Sequence, residues 1–153
     1  MKTTIEAAKG LSPEAIPESA KAELARLAVA ARERSHCPYS HTAVGAALLC
    51  ADGTVYTGAN IENAAFSPSV CAERVALFTA VHEGEREFLA IAVAGGEAGK
   101  PPKGIFPPCG VCRQVMAEFF RPDARVLLAD GKGYAERTFA DLLPDGFGPG
   151  FLL

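Results

Sequence analysis

Between residues 17 and 35 (PESAKAELARLAVAARERS), apolar side chains recur at Ala20, Leu24, Leu27, Ala28 and Ala31. That spacing lays one stripe along a helix of 3.6 residues per turn. The next two runs, 41–50 (HTAVGAALLC) and 54–62 (TVYTGANIE), are apolar and β-branched and are joined by Ala51-Asp52-Gly53, a hairpin pattern. Residues 69–84 (SVCAERVALFTAVHEG) predict a mostly buried helix closed by Gly84. Residues 88–96 (FLAIAVAGG) form the continuous apolar run typical of a central strand. A Gly/Pro-rich loop, 95–108, then delivers the chain to a helix at 109–120 (CGVCRQVMAEFF). A strand at 126–130 (VLLAD), a turn at 131–133 (GKG) and a short helix at 138–144 (TFADLLP) complete the pattern. The order α-β-β-α-β-α-β, with room for one more strand, predicts a mixed sheet with helices on both faces. No internal repeat or low-complexity tract interrupts it.

Composition changes this picture little. The 153 residues are 49% hydrophobic and 22% charged, ordinary for a globular chain and enough for a single domain, 1–153, with a real core. A formal charge of −3 argues against nucleic-acid and membrane partners, both of which favour a basic footprint. No run approaches the roughly 18 apolar residues of a membrane span. The first residues, MKTTIEAAKGLSPEA, lack the apolar core of a secretory signal. The five cysteines include one C-x-x-C pair. The expectation is a cytoplasmic protein with metal or redox chemistry rather than a disulfide framework.

The candidate chemistry begins with Cys109 and Cys112, placed where a Pro-Pro loop turns into a helix. At i and i+3 they share a helix face, so both sulfurs can reach one ion. Cys71, at the start of another predicted helix, is the natural third ligand. Three protein ligands with an open fourth position make the catalytic zinc pattern, whereas structural zinc usually has four. Such a zinc activates water by lowering its pKa toward about 7. Three thiolates leave the ion with a net negative charge that opposes this. Helix N-termini favour thiolates, and Arg74, three residues after Cys71, could donate hydrogen bonds to the sulfurs.

Glu73 stands out because a buried carboxylate is costly unless it is paired or neutralised. In mid-helix it would face away from Cys71. At a helix N-terminus, side chains tilt back toward the end, and both can reach a point just beyond it. A carboxylate there can move protons to and from a reacting water. Other readings exist for the parts taken singly. C-x-x-C alone suits a thioredoxin-like redox pair, although that motif normally follows the first strand of a βαβ unit. Cys71 alone suits an inert core cysteine. A zinc-stabilised scaffold would need a fourth protein ligand, and no obvious one stands beside the motif. Cys-Ala-Glu followed some 35 residues later by Pro-Cys-x-x-Cys is the specific signal. Cys37, Cys50 and His82 read as core packing and solvent exposure.

From about Cys37 to Gly148 the chain resembles the zinc-dependent nucleoside deaminases, most closely the small homotetrameric cytidine deaminases, through CPYSH, VGAAL, GANIENA, CAER, PCGVCRQ and LLPDGFGP in that order. The resemblance implies a three-layer α-β-α sandwich with a five-stranded mixed sheet. It also implies one zinc per chain and a homotetramer whose subunits complete one another's active sites. The implied reaction is hydrolytic deamination of cytidine and 2′-deoxycytidine to uridine and 2′-deoxyuridine. By position, Cys71, Cys109 and Cys112 match the zinc ligands, Glu73 the proton shuttle and Arg74 the arginine that offsets thiolate charge. Asn60 and Glu62 match the pair that holds a ribose hydroxyl; by themselves they would read as turn residues. Ala72 matches the residue whose backbone touches the base, and Phe147 the C-terminal aromatic that stacks on a pyrimidine in another subunit. Thr42 departs from the pattern: the family commonly has phenylalanine there, lining the pocket. A deaminase of another aminopyrimidine nucleoside fits the same motifs, but the Asn60/Glu62 pair favours an unmodified sugar. A nucleic-acid editor lacks the necessary basic stripe.

Overall fold

Residues 42–50 alternate between two packed faces, and that alternation organises the molecule. Val44, Ala46, Leu48 and Cys50 enter one core cluster, whereas Ala47 and Leu49 enter another. The computed structural model describes residues 1–153. The chain runs Lys2–Thr4 (β1), Glu18–Ala31 (α1), Thr42–Cys50 (β2), Thr54–Ala59 (β3), Ala72–His82 (α2), Phe88–Glu97 (β4), Gly110–Phe119 (α3), Arg125–Ala129 (β5), Tyr134–Thr138 (β6) and Phe139–Leu142 (α4). Ala20, Leu24 and Ala28 of α1 pack on the Ala47/Leu49 face. Ala72, Ala76 and Leu77 of α2, with Cys112 and Met116 of α3, pack on the Val44/Leu48 face. The result is the α-β-α layering that the apolar pattern implied. No helix is long and apolar enough to cross a membrane.

The sheet has six strands, in the order β1-β3-β2-β4-β5-β6, rather than the five that the resemblance implied. The addition is β1, which pairs antiparallel with β3 from Lys2↔Tyr56 to Thr4↔Thr54. Three residues are too few to show a period-2 pattern, so sequence gave no sign of it. The β4–β5 pair is parallel and the others are antiparallel, which makes the sheet mixed. The crossover between β4 and β5 carries α3, so both α2 and α3 lie on the same side.

β3 ends at Ala59, earlier than the apolar run predicted, because the Asn60 side chain replaces the next rung. Asn60 Oδ1 accepts from Val44 N at 2.8 Å, and Asn60 Nδ2 donates to Thr42 O at 2.9 Å. α2 stops where predicted: Gly84 has φ +104, and Glu85 N donates to Ala80 O at 3.0 Å.

Gly58 sets how closely α2 lies on β3. A Cβ there would stand 2.4 Å from Ala72 O and 2.6 Å from Ala76 N. These are backbone atoms, so the helix itself would have to move, carrying Cys71 and Glu73 with it. Gly58→Ala should cost about 1–3 kcal/mol, the usual penalty of overpacking. Urea unfolding measures that loss.

Candidate active site

Helices α2 and α3 present their N-termini to one another through two cysteines. Cys71 and Cys109 are the residues just before each helix, both extended (φ −76°, ψ 156° and φ −68°, ψ 166°). Each sulfur therefore lies beside the unpaired N–H groups and positive dipole end of its helix. Cys112 returns one turn along α3. The three Sγ atoms lie within 4.8 Å of one another, and those of Cys71 and Cys109 are 3.8 Å apart. Thiolates about 2.3 Å from zinc at tetrahedral angles stand about 3.8 Å apart, so both donor set and spacing fit the metal. No fourth His, Cys, Asp or Glu atom joins the cluster. Cys112 is buried, Cys71 half-buried and Cys109 exposed, so the cluster opens outward from the core.

Arg74 Nη2 donates to Cys71 Sγ at 3.4 Å. The Cys71 thiol is drawn down to about 5, mainly by a hydrogen bond from Cys112, with Arg74 and Cys109 reinforcing it against burial. The same contact with Cys71, together with burial, pushes Cys112 upward. Both shifts come from the same close contact of the two thiols, and the Arg74 guanidinium lies on the Cys71 side of it.

Glu73, in the first turn of α2, is 4% exposed, and its Oε2 makes no hydrogen bond. Burial is the chief cause that raises its carboxyl to about 7; the neighbouring Cys71 adds to it, while its own peptide N–H and Arg74 oppose. A buried acceptor without a partner is costly to keep. Here it stands within the turn that begins at the thiol cluster.

The other sequence candidates fall into two groups. Asn60 and Glu62 flank Ile61, whose backbone bridges Val70 in both directions at 3.0 Å, directly before Cys71. The Asn60 amide is committed on one side to Thr42 and Val44, which leaves one N–H and one lone pair of the side chain. Glu62 Oε1 accepts from the backbone N–H groups of Tyr39 (3.0 Å) and Ser40 (3.2 Å). The Ser40 hydroxyl and these N–H groups hold its carboxyl below the usual range. Thr42 opens β2, half-buried, with its N–H donated to Ser40 Oγ at 3.0 Å. Ala72, the first residue of α2, is fully buried. Phe147 lies apart from this group, on the C-terminal segment, 55% exposed and stacked on Phe151 with ring centroids 5.5 Å apart.

Several participants left no trace in the residue pattern. The donors from Tyr39 and Ser40 are backbone groups, which any residue supplies. Arg113 donates to Pro108 O and Leu142 O, both at 2.8 Å, and its place on the motif gave no hint of either partner. Cys50 is buried and His82 exposed, as their sequence settings implied.

A family model described as "Cytidine and deoxycytidylate deaminase zinc-binding region" matches residues 2–94. A cytidine deaminase of Halalkalibacterium halodurans is 49% identical over 125 residues, covering 81% of this chain and 91% of the relative. A cytidine deaminase of Sporosarcina psychrophila is 50% identical over 118 residues, 76% of this chain and 83% of the relative. The crystal structure of cytidine deaminase from Burkholderia pseudomallei superposes with a TM-score of 0.75 at 45% identity, covering 82% of this chain and 97% of that one.

Proposed function

The chain belongs to the cytidine deaminase family, and from that premise we propose that it hydrolyses cytidine and 2′-deoxycytidine to uridine and 2′-deoxyuridine with release of ammonia. The observation that carries the reading is Glu73: a buried carboxyl with a free oxygen, raised to about 7 by burial, in the helical turn that begins at Cys71. Cys71, Cys109 and Cys112 would hold one zinc per chain. When bound, zinc supplies the Lewis acidity that activates the attacking water. Glu73 can take a proton from the attacking water and give it to N3 of the base, then take the remaining proton of the new C4 hydroxyl and give it to the amino nitrogen as the C4–N bond breaks. Burial that raises the carboxyl above the usual range favours its picking up a proton and holding it for transfer. Arg74, bound to Cys71, offsets the charge of three thiolates.

The sugar is held by what Asn60 and Glu62 leave free. One N–H and one lone pair on Asn60, with Glu62 Oε2, can together donate to and accept from a ribose hydroxyl. The Ala72 backbone meets the base. Phe147, exposed on its own chain, stacks on the base in a neighbouring subunit of a homotetramer. All five cysteines are free thiols, which suits a reducing cytoplasm and a role in pyrimidine salvage. Residues 1–153 act as one catalytic domain, with a small nucleoside as its partner and no polynucleotide.

Zinc-replete protein supplied separately with cytidine, 2′-deoxycytidine and free cytosine tests the substrate class. Both nucleosides should turn over and the free base should not; equal use of cytosine would contradict the sugar contacts. Thr42→Phe should lower KM for cytidine by about 2–10-fold, because a pocket-lining ring adds about 0.5–1.5 kcal/mol. An unchanged KM would show that this position does not line the pocket.

A further inference from the structure

The loop that delivers Cys109 is held by side-chain contacts rather than by its own backbone. Residues 101–108 include Pro101, Pro102, Pro107 and Pro108, and none of the eight takes part in a backbone–backbone hydrogen bond. Prolines have no N–H to give, so of their backbone groups only the carbonyls can be tethered. Three features supply the tether, the first being the Pro108 ring itself, which is fully buried. Phe106 lies flat on Gly95 of β4, where a Cβ would stand 2.3 Å from the ring. Arg113 Nε donates to Pro108 O at 2.8 Å, at the peptide that leads into Cys109.

The same guanidinium reaches the other way. Arg113 Nη1 donates to Leu142 O at 2.8 Å, one of the carbonyls that the end of α4 leaves without an intrahelical partner. Gln114, next along α3, donates from Nε2 to Phe147 O at 2.9 Å. Arg113 makes no ion pair, so its hydrogen bonds go to these two carbonyls. One turn of α3 therefore carries Cys112 together with two polar anchors of the C-terminal arm, residues 142–153, whose Leu142 and Leu143 also pack on the core.

We infer that Arg113 is a positioning residue that couples the metal half-site of Cys109 and Cys112 to the C-terminal arm of the same chain. Ligation fixes the Pro108–Cys109 turn; the fixed turn sets the guanidinium; the guanidinium seats Leu142 and, with Gln114, the arm that bears Phe147. Loading with metal thus orders the arm, and seating of the arm slows metal release. The inference rests on the zinc reading above. It adds to that reading a route by which one subunit's metal prepares the aromatic that this subunit offers elsewhere.

The chain contains no tryptophan, so Phe151→Trp, on an exposed ring of the arm, gives a single fluorescent reporter. In this background, fluorescence anisotropy reports arm order, and transfer of zinc to a chromogenic chelator reports metal release. Circular dichroism reports the rest of the fold. Chelation should lower the anisotropy while leaving the dichroism in place. Arg113→Ala should release zinc about 10-fold faster or more, the usual effect of removing a group that orients a ligand. Its anisotropy should already be low with zinc bound and should not fall further on chelation. Arg113→Lys, able to reach one carbonyl but not both, should lie between. Gln114→Ala should loosen the arm and speed zinc release, but by less than Arg113→Ala, because the guanidinium still holds Pro108 O.

Zinc release from Arg113→Ala and Arg113→Lys within twofold of wild type would overturn the coupling. So would wild-type anisotropy that ignores chelation, or that falls only together with the helical dichroism. A wild-type chain that binds no zinc would overturn the metal reading itself, and the inference with it.

Discussion

Glu73→Gln should lower kcat for cytidine by about 10²–10⁴-fold, the range that a positioned proton carrier supplies. Zinc content should stay at one per chain. The substitution keeps the shape and burial of the side chain but removes its ability to accept and return a proton. Glu73 lies outside the cluster of metal-ligating atoms, and its Oε2 has no partner in the protein, so the change breaks no hydrogen bond of that oxygen. Glutamine also carries no charge to be desolvated at a site that is 4% exposed. Stability should therefore hold while turnover collapses. A parallel loss of zinc would move Glu73 from proton carrier to ligand, and retained turnover would remove it from the chemistry altogether.

Cys109→Ala should act in the opposite way, on metal and stability together. Cys109 is exposed, so its thiol contributes little to the core and the cost of truncation comes through the ion. At free zinc about 1,000-fold above Kd, losing the bound metal removes about 4 kcal/mol of linked stability. For a chain of this size that is a fall in Tm of roughly 10 °C. Thermal unfolding of wild type and variant, each with zinc and with a chelator, measures it. The wild-type curve should drop to meet the variant on chelation, and the variant should not respond. A wild-type Tm that ignores the chelator would show that the three thiols hold no metal.

The sequence and the structure meet most closely where a pattern is written in side chains. The α1 stripe, the apolar runs of β2 and β4 and the closing Gly84 all appear near their predicted bounds. C-x-x-C at a helix start and a third cysteine at another helix start come together within one cluster. What sequence could not show falls into three physical kinds. Short pairings such as β1 are too brief to have a period. Side chains that stand in for backbone, such as Asn60 completing the ladder to β2, look the same in sequence as ordinary turn residues. Long polar arms such as Arg113 choose partners that are distant in sequence, Leu142 among them, and nothing local specifies that choice. The state of Glu73 belongs with these: its identity is legible, but an oxygen left free under 4% exposure is a property of packing.

The most direct measurement is the reaction itself. Purified protein brought to one zinc per chain is incubated with cytidine, and uridine and ammonia are quantified together. The account predicts equimolar uridine and ammonia from the wild type and, over the same time, less than about a hundredth of either from Glu73→Gln. Folded, zinc-loaded wild-type protein that leaves cytidine unchanged would contradict it.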